Sequence, residues 1–431
     1  MAQQVNAPRG MRDFLPAQKA KRERVLAIIR EVYAAHGFDE IETPVIEDYA
    51  RLHAGLGGDN EKLSFSILKR ALQPADFAAA SDAAELCDLG LRFDLTVPLA
   101  RYYATNRAQL PSVFRAVHIG PVWRAERPQK GRYRQFVQAD IDIIGEAGPL
   151  AEAELITATS TVLHRLGLAG CVIRINDRRL LLALLGYCGF PESAAEQVLI
   201  TIDKLDKIGV AGVIAELTES AAEFAAPAAK LRPLLQAVAE QQTAIELSAA
   251  GIAAVLPADL APEVVADLVA LGEMVLPGLP SGVKIAFDPT LVRGMGYYTG
   301  TIFEIAHPAS GSSVGGGGRY DGMIGRFLSE SVPAVGFSIG FERIIDLVAL
   351  PDAAADNTVA LIADKECAVR DLLALKQQLL TAGKTVRIVW RQKNMKPLFA
   401  QLRADGVTTV ASVQPEMRDS AELNYRELAA S

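Results

Sequence analysis

The stretch 123–145, WRAERPQKGRYRQFVQADIDIIG, restricts what this chain can fold into more than any other. Pro121, Val122 and Trp123, and then Phe136 to Ile144, supply β-favouring residues. The second run alternates Phe136, Gln138, Asp140 and Asp142 with Val137, Ala139, Ile141 and Ile143. Between the runs lie Arg124, Arg127, Lys130, Arg132 and Arg134, with Pro128 and Gly131 as turn residues. The pattern predicts a strand, a cationic turn and a second strand. On charge alone an exposed hairpin fits as well, because charge runs are often only solvated. Five like charges on one hairpin repel one another, however, and stabilise nothing until an anion arrives. Arginine also meets phosphate and carboxylate in a bidentate way that lysine cannot. The far strand adds Gln138 and Asp142 on one face, four residues apart. An amide and a carboxylate beside an arginine cluster suggest a pocket that reads a zwitterion and a polyphosphate together.

With 431 residues the chain is expected to form two or three domains. Half of its residues are hydrophobic and 22% are charged, the balance of a globular protein with ample core. The start MAQQVNAPRGMRDF has no apolar run of the kind that makes a secretory leader, and Leu180–Leu185 is far too short to cross a bilayer. Cys87, Cys171, Cys188 and Cys367 have no paired spacing, which argues against a disulfide framework or a zinc site and for a reducing cytoplasm. The net charge of −7 counts against wholesale nucleic-acid binding. An RNA partner would have to meet local basic patches. The 124–134 turn is one; Lys384, Arg387, Arg391, Lys393 and Lys396 form another.

The 123–145 unit closely resembles the second signature motif of class II aminoacyl-tRNA synthetases, in the form carried by histidyl-tRNA synthetases. Other segments agree in order. PRGMRDFLP precedes an amphipathic helix (Val25, Ile28, Ile29, Val32, Tyr33) that Gly37 should end, and GFDEIETPVIEDYA should give a short strand that Pro44 confines to an edge or end. This order resembles the family's amino terminus and first motif, which implies a homodimer. Residues 58–90 match poorly and are expected to form a surface helix or excursion. Leu91-Arg92-Phe93-Asp94-Leu95-Thr96 resembles the family's segment that holds the amino group of the amino acid; the lesser alternative for Asp94 on its own is a cap on the following turn. LVRGMGYY, from Leu291 to Tyr298, resembles the histidine-specific motif, with Gly296 where an Asp is usual. The run 314–322 (VGGGGRYDG) resembles the second such motif, although a glycine run alone is more often a flexible turn. The run 336–343 (GFSIGFER) resembles the third class II motif.

The implied architecture is α+β. An antiparallel-sheet catalytic domain (1–176 and 281–350) is interrupted by a helical insertion (177–280). After a linker at 350–357, a small α/β anticodon-binding-like domain alternates β-α-β-α-β over 357–431. The resemblance implies a histidine–tRNA ligase that activates histidine with ATP and transfers it to tRNA(His). Mg²⁺ would accompany the phosphates, with no site made by protein side chains alone. Arg124 and Arg293 would be catalytic, on either side of the α-phosphate, and Arg343 would meet the terminal phosphate. Glu126, Arg132 and Phe136 would serve ATP. Asp94, Leu95, Thr96 and Gln138 would hold the amino and carboxyl groups, with Asp142, Tyr297, Tyr298 and Tyr320 about the imidazole. A pocket that hydrogen-bonds the ring can reject analogues by roughly 10⁴–10⁵, so no editing site is needed. No side chain is an obvious base for the transfer step, which falls to phosphate or water. The rival is a synthetase-like regulatory subunit of ATP phosphoribosyltransferase. Such chains typically lack the LVRG arginine and the carboxy-terminal domain, and both are present here.

Overall fold

The computed structural model describes residues 5–53, 62–129, 131–241, 244–293, 297–328, 330–350 and 357–428. Lys130, Gly296 and residues 351–356 of the expected linker lie outside them. The chain divides into two compact units, 1–349 and 350–431.

Helix α1 (Pro16–Ala35) buries Val25, Leu26, Ile29, Val32 and Tyr33 along one face. It stops where Gly37 takes the left-handed conformation, φ +81°. The chain next makes two short strands where one was expected: β1 (Asp39–Ile41) and β2 (Ile46–Asp48), in different sheets. Pro44 cannot donate to a ladder, and the Thr43 carbonyl and hydroxyl are taken by the Arg92 guanidinium at 2.9 and 3.1 Å. The chain therefore turns out of one sheet and into another. After the short helix α2 (Tyr49–Leu52), the expected surface excursion proves to be partly strand. It comprises β3 (Phe65–Leu68), α3 (Pro74–Ala79) and β4 (Cys87–Leu91), and with β2 it forms a three-stranded sheet in the order β2-β4-β3.

Helix α4 (Thr96–Asn106) leads to β5 (Phe114–Trp123) and β6 (Gln135–Ile144). These two pair antiparallel from Phe114 opposite Ile144 to Trp123 opposite Gln135, so the cationic turn caps a ten-residue ribbon. Helix α5 (Leu150–Arg165) and β7 (Cys171–Asp177) follow. Six helices come next: α6 (Arg178–Cys188), α7 (Ala195–Ile202), α8 (Leu205–Ser220), α9 (Ala225–Ala239), α10 (Ala249–Ala253) and α11 (Pro262–Val275). Many of their leucines and valines are buried, and the helices pack on one another, α8 against α7 and α9, and α6 against α9 and α11. The chain then returns through β8 (Val283–Phe287), β9 (Thr301–Ala306), β10 (Gly315–Arg319), α12 (Asp321–Leu328), β11 (Ala334–Gly340) and α13 (Phe341–Ile344).

The central sheet has the order β1-β5-β6-β11-β10-β9-β7-β8. It is parallel only at its outermost pairs, β1 with β5 and β7 with β8. Helix α5 packs on β6 and β11, and α1 packs on α5. Ala139, Ile141 and Ile143 of β6 are fully buried. The residues that alternate with them are left for the opposite face of the sheet. The glycine run is a strand and not a loose turn: β10 pairs with β9 on one side and β11 on the other. At its end, the Arg319 guanidinium meets the Glu152 carboxylate of α5 through two bonds of 2.7 Å, and both side chains are buried.

The second unit comprises β12 (Thr358–Ala363), α14 (Val369–Thr381), β13 (Thr385–Trp390), α15 (Met395–Ala404) and β14 (Thr409–Val413), with an unforeseen antiparallel strand β15 (Tyr425–Glu427). The strand order is β13-β12-β14-β15. The helices supply two separate cores: Leu372, Leu375 and Leu379 from α14, and Leu398 and Leu402 from α15. No helix among the described residues is long and apolar enough to cross a membrane.

Removing one partner of a buried ion pair leaves an uncompensated charge. Glu152→Ala should therefore lower unfolding stability by about 3 kcal/mol, the lower end of the usual range, because Asp321 still stands 3.3 Å from Arg319. Urea denaturation followed by circular dichroism would show this as a lower midpoint.

Candidate active site

The open face of the central sheet holds a cavity of about 460 Å³. Four cations drawn from three distant segments line it: Arg124 and Arg132 from the β5–β6 turn, Arg293 after β8, and Arg343 on α13. Arg124 donates through Nε to the Phe93 carbonyl at 2.9 Å, and its Cζ lies 5.1 Å from the centre of the Phe136 ring. Its Nη atoms have no protein partner among the described residues. Arg293 donates through Nη1 to the Gly315 carbonyl at 2.9 Å, and the same nitrogen lies 3.3 Å from both Glu304 and Ser313. A side chain at Gly316 would run into that guanidinium, so the bare strand is what lets Arg293 lie across β10. Arg343 donates to the Ser313 carbonyl. Burial, and then Arg293, Arg132 and Arg124, pull its pKa below the usual guanidinium value. Such clustering is the signature of an anion site.

Glu342, next to Arg343, is clamped. Both Nη atoms of Arg22 donate to it, at 2.8 and 2.6 Å, Arg12 pairs with it, and the Val137 amide donates to it at 3.3 Å. Arg12 lies over the Tyr133 ring, 3.5 Å from its centre, and the Arg134 amide donates to the Gly10 carbonyl at 2.8 Å. The amino-terminal segment thus straps the cationic turn to α13.

The other end of the cavity is acidic and aromatic. Gln138, Asp140 and Asp142 project from β6, as their alternation requires, and Asp94 from the start of α4. The Tyr320 hydroxyl donates to Asp142 at 2.5 Å, and the Tyr297 hydroxyl donates to Thr96 at 3.2 Å. Gly336 stands opposite Asp142, and a Cβ there would strike its carboxylate. Burial raises the Asp142 carboxyl to about 7; Tyr320 opposes the rise and Asp94 adds to it. Burial and then Asp142 hold Asp140 well above the ordinary carboxylate range. Burial raises Tyr298 to about 12 in spite of Arg293. Acidic groups kept short of their charge at one end, and guanidinium groups crowded at the other, suit a small cation joined to an anion.

The profile of a family described as histidyl-tRNA synthetase matches residues 10–344. The chain is also 58% identical, over 96% of its length and 97% of the relative's, to a histidine--tRNA ligase of Leifsonia xyli subsp. xyli. This chain belongs to the histidyl-tRNA synthetase family. A probable histidine--tRNA ligase of Tropheryma whipplei is 42% identical over 88% of this chain and 89% of its own. Among solved structures, the histidyl-tRNA synthetase of Nostoc sp. PCC 7120 superimposes with a TM-score of 0.75 at 26% identity, covering 99% of this chain and 95% of that one. A chain of Bacillus halodurans C, described as an ATP phosphoribosyltransferase regulatory subunit/histidyl-tRNA synthetase, gives 0.73 at 21% identity over 96% of this chain and 99% of that one, a likeness of fold.

For this member of the histidyl-tRNA synthetase family, the cavity gathers the residues that the sequence nominates, with one exception. Leu95 is 1% exposed and turns into the core. Asp94 and Thr96 face the cavity, and an apolar side chain between them at the start of a helix is better buried, so Leu95 is corrected to a core residue. Asp140, Tyr133, Ser313, Ser338 and Glu342 also line the cavity, although sequence reasoning gave them no role. For Asp140 the signal was available, since it shares the period-two face with Gln138 and Asp142. Ser313 and Tyr133 carry no such signal.

The Asp142 shift has a signed consequence. Its folded pKa lies above the unfolded carboxylate value of about 3.9, so the folded state binds more protons between that value and about 7. Stability from this group is therefore lost as pH rises through that window. Asp142→Asn removes the effect. The melting temperature of the ligand-free wild type, measured relative to the variant, should fall between pH 4 and pH 7 and level off above, which differential scanning fluorimetry across pH would reveal.

Proposed function

We propose that this chain is a histidine–tRNA ligase. It joins histidine to ATP as histidyl-adenylate and passes the histidyl group to tRNA(His). The observation that carries this reading is the shared cavity: guanidinium groups from three remote segments face one space with a buried acidic and aromatic recess. In the first step a carboxylate oxygen of histidine attacks the α-phosphorus, and the bond from that phosphorus to the pyrophosphate oxygen breaks. Negative charge grows on the phosphoryl oxygens, so fixed cations lower the barrier most.

Arg124 meets the α-phosphate and the histidine carboxylate with its unpartnered nitrogens. Arg293 approaches the α-phosphate from the side of β10, held there by Gly315 and Glu304. Arg343 takes the terminal phosphate. Phe136 stacks the adenine, with Glu126 and Arg132 at its edge. Mg²⁺ enters as part of the MgATP substrate and neutralises phosphate charge. Asp94, Thr96 and Gln138 hold the amino acid's backbone groups, and Asp142, Tyr297, Tyr298 and Tyr320 surround the imidazole. A recess of hydrogen-bonding groups in low dielectric is left unpaired by analogues without the ring nitrogens, which is the basis of rejection.

In the second step the tRNA ribose hydroxyl oxygen attacks the histidyl carbonyl carbon, the bond from that carbon to the adenylate oxygen breaks and AMP leaves, while phosphate or water takes the hydroxyl proton. The enzyme acts in the cytoplasm as a homodimer, a reading supported by the exposed apolar side chains of Val45 and Ile46. Arg387, Trp390, Arg391 and Lys393 share one groove of the carboxy-terminal unit, which supports that unit as the one contacting the anticodon region.

Replacing one preorganised donor at a developing oxyanion typically costs 10²–10³ in rate. Arg293→Ala should therefore reduce histidine-dependent ATP–pyrophosphate exchange by at least about 10²-fold, with an unchanged circular dichroism spectrum. Exchange at the wild-type rate would remove Arg293 from the mechanism, and exchange driven by another amino acid would overturn the substrate.

A further inference from the structure

Two arginines that stand behind the cavity wall have no task in the chemistry above. Arg12 and Arg22 both end on Glu342, whose side chain is 5% exposed and lines the cavity. Arg22 is buried with it, while Arg12 keeps 31% of its side chain exposed. A third contact comes from the central sheet. The ladder between β6 and β11 ends with Gln138 opposite Gly340, and one residue further out the Val137 amide donates to Glu342 at 3.3 Å. Glu342 therefore closes the gap between the strand that carries Phe136 and the helix start that carries Arg343.

The same segment holds the cationic turn. Arg12 lies on the Tyr133 ring, and the Gly10 carbonyl accepts the Arg134 amide. Gly10 has φ +83°, and a Cβ there would come within 2.8 Å of Pro128 Cγ and 2.9 Å of Arg134 Cγ, so the backbone passes close against both limbs of the turn. The limbs are tied to each other as well, since Arg134 Nε donates to the Glu126 carbonyl at 3.0 Å. Phe14 fills the space between the two arginines, with its ring centre 4.0 Å from Arg22 Cζ and 5.1 Å from Arg12 Cζ. These contacts fall on the limbs that present Glu126, Arg132 and Phe136 and on the helix that presents Arg343. The acidic recess is held by bonds of its own, Tyr320 to Asp142 and Tyr297 to Thr96.

Arg124, Arg132, Arg293 and Arg343 repel one another, so a turn free to swing would let them separate until phosphate drew them back. That reordering would be subtracted from the affinity for the nucleotide. Contacts made outside the cavity, to a carboxylate already paired with other cations, remove the cost without occupying the space that the phosphates need.

We propose that Arg12 and Arg22, acting through Glu342, are positioning residues for ATP. They hold the turn and α13 at the separation that the nucleotide spans, with adenine on Phe136 and the terminal phosphate on Arg343. This rests on the reading of the cavity as an ATP-dependent activation site and deepens it: affinity for ATP is set partly by the amino-terminal segment, and affinity for histidine is not.

Histidine-dependent ATP–pyrophosphate exchange on the full chain tests this, with each substrate varied while the other is saturating. Arg12→Ala leaves Arg22 on Glu342. It should raise the KM for ATP about 10-fold, the lower end of what losing a hydrogen bond to a charged group costs, and change the KM for histidine by less than about twofold. Arg12→Lys keeps a cation against Glu342 and should recover part of the ATP effect. Arg12→Gln serves if the alanine variant does not fold. Equal rises in both KM values would make the segment merely structural, and an unchanged KM for ATP would overturn its role. Wild-type protein without histidine-dependent exchange would instead overturn the reading of the cavity, and the role of Arg12 and Arg22 with it.

Discussion

Repulsion among guanidinium groups is the constraint on which the site depends. Arg124, Arg132, Arg293 and Arg343 face one cavity, and each is held by carbonyls, a ring or a single carboxylate instead of being fully neutralised. A chain left to minimise its own energy would disperse them. They stay because the backbone that carries them is over-determined: a ten-residue antiparallel ribbon, a flanked glycine strand and a helix start clamped at Glu342. Holding charge in place before the reaction is what allows it to act without reorganisation when negative charge develops.

The same sheet carries an opposite arrangement a few ångströms along β6. There carboxyl groups are crowded and buried, and Asp140 and Asp142 are pushed toward their neutral forms. A zwitterion extended from one end to the other would relieve both strains at once. The sheet's glycines make this compact: Gly336 leaves room for Asp142, and Gly316 for Arg293. In the proposed reaction, recognition and activation are two outcomes of one distribution of side-chain volume and charge over adjacent strands.

How much of this was legible in the sequence depends on the range of the interaction. The ribbon was legible because its alternation and its turn residues lie within one stretch, and so was α1 with its terminal glycine. The split at Thr43-Pro44 was not, since what turns the chain there is Arg92, almost fifty residues on. The glycine run looked like a turn because glycine has low strand propensity; pairing on both sides overrides that preference. In the site, the arginines were found through family resemblance and through charge. Leu95 was misplaced because adjacency in sequence says little about direction at a helix start. Asp140 was overlooked although its periodicity was plain, because its neighbours are Gln138 and Ser338, the latter on a distant strand.

The strap across the cationic turn has a consequence for how the molecule is made. Arg12 and Arg22 leave the ribosome among the first residues, while Glu342, the carboxylate that neutralises them, is more than three hundred residues later. During translation those two side chains must wait, charged and solvated, until nearly the whole first unit has been synthesised. Ordering of the arginine-lined end of the cavity is therefore a late event in biogenesis, and a nascent chain halted anywhere before α13 lacks the contact that would secure it.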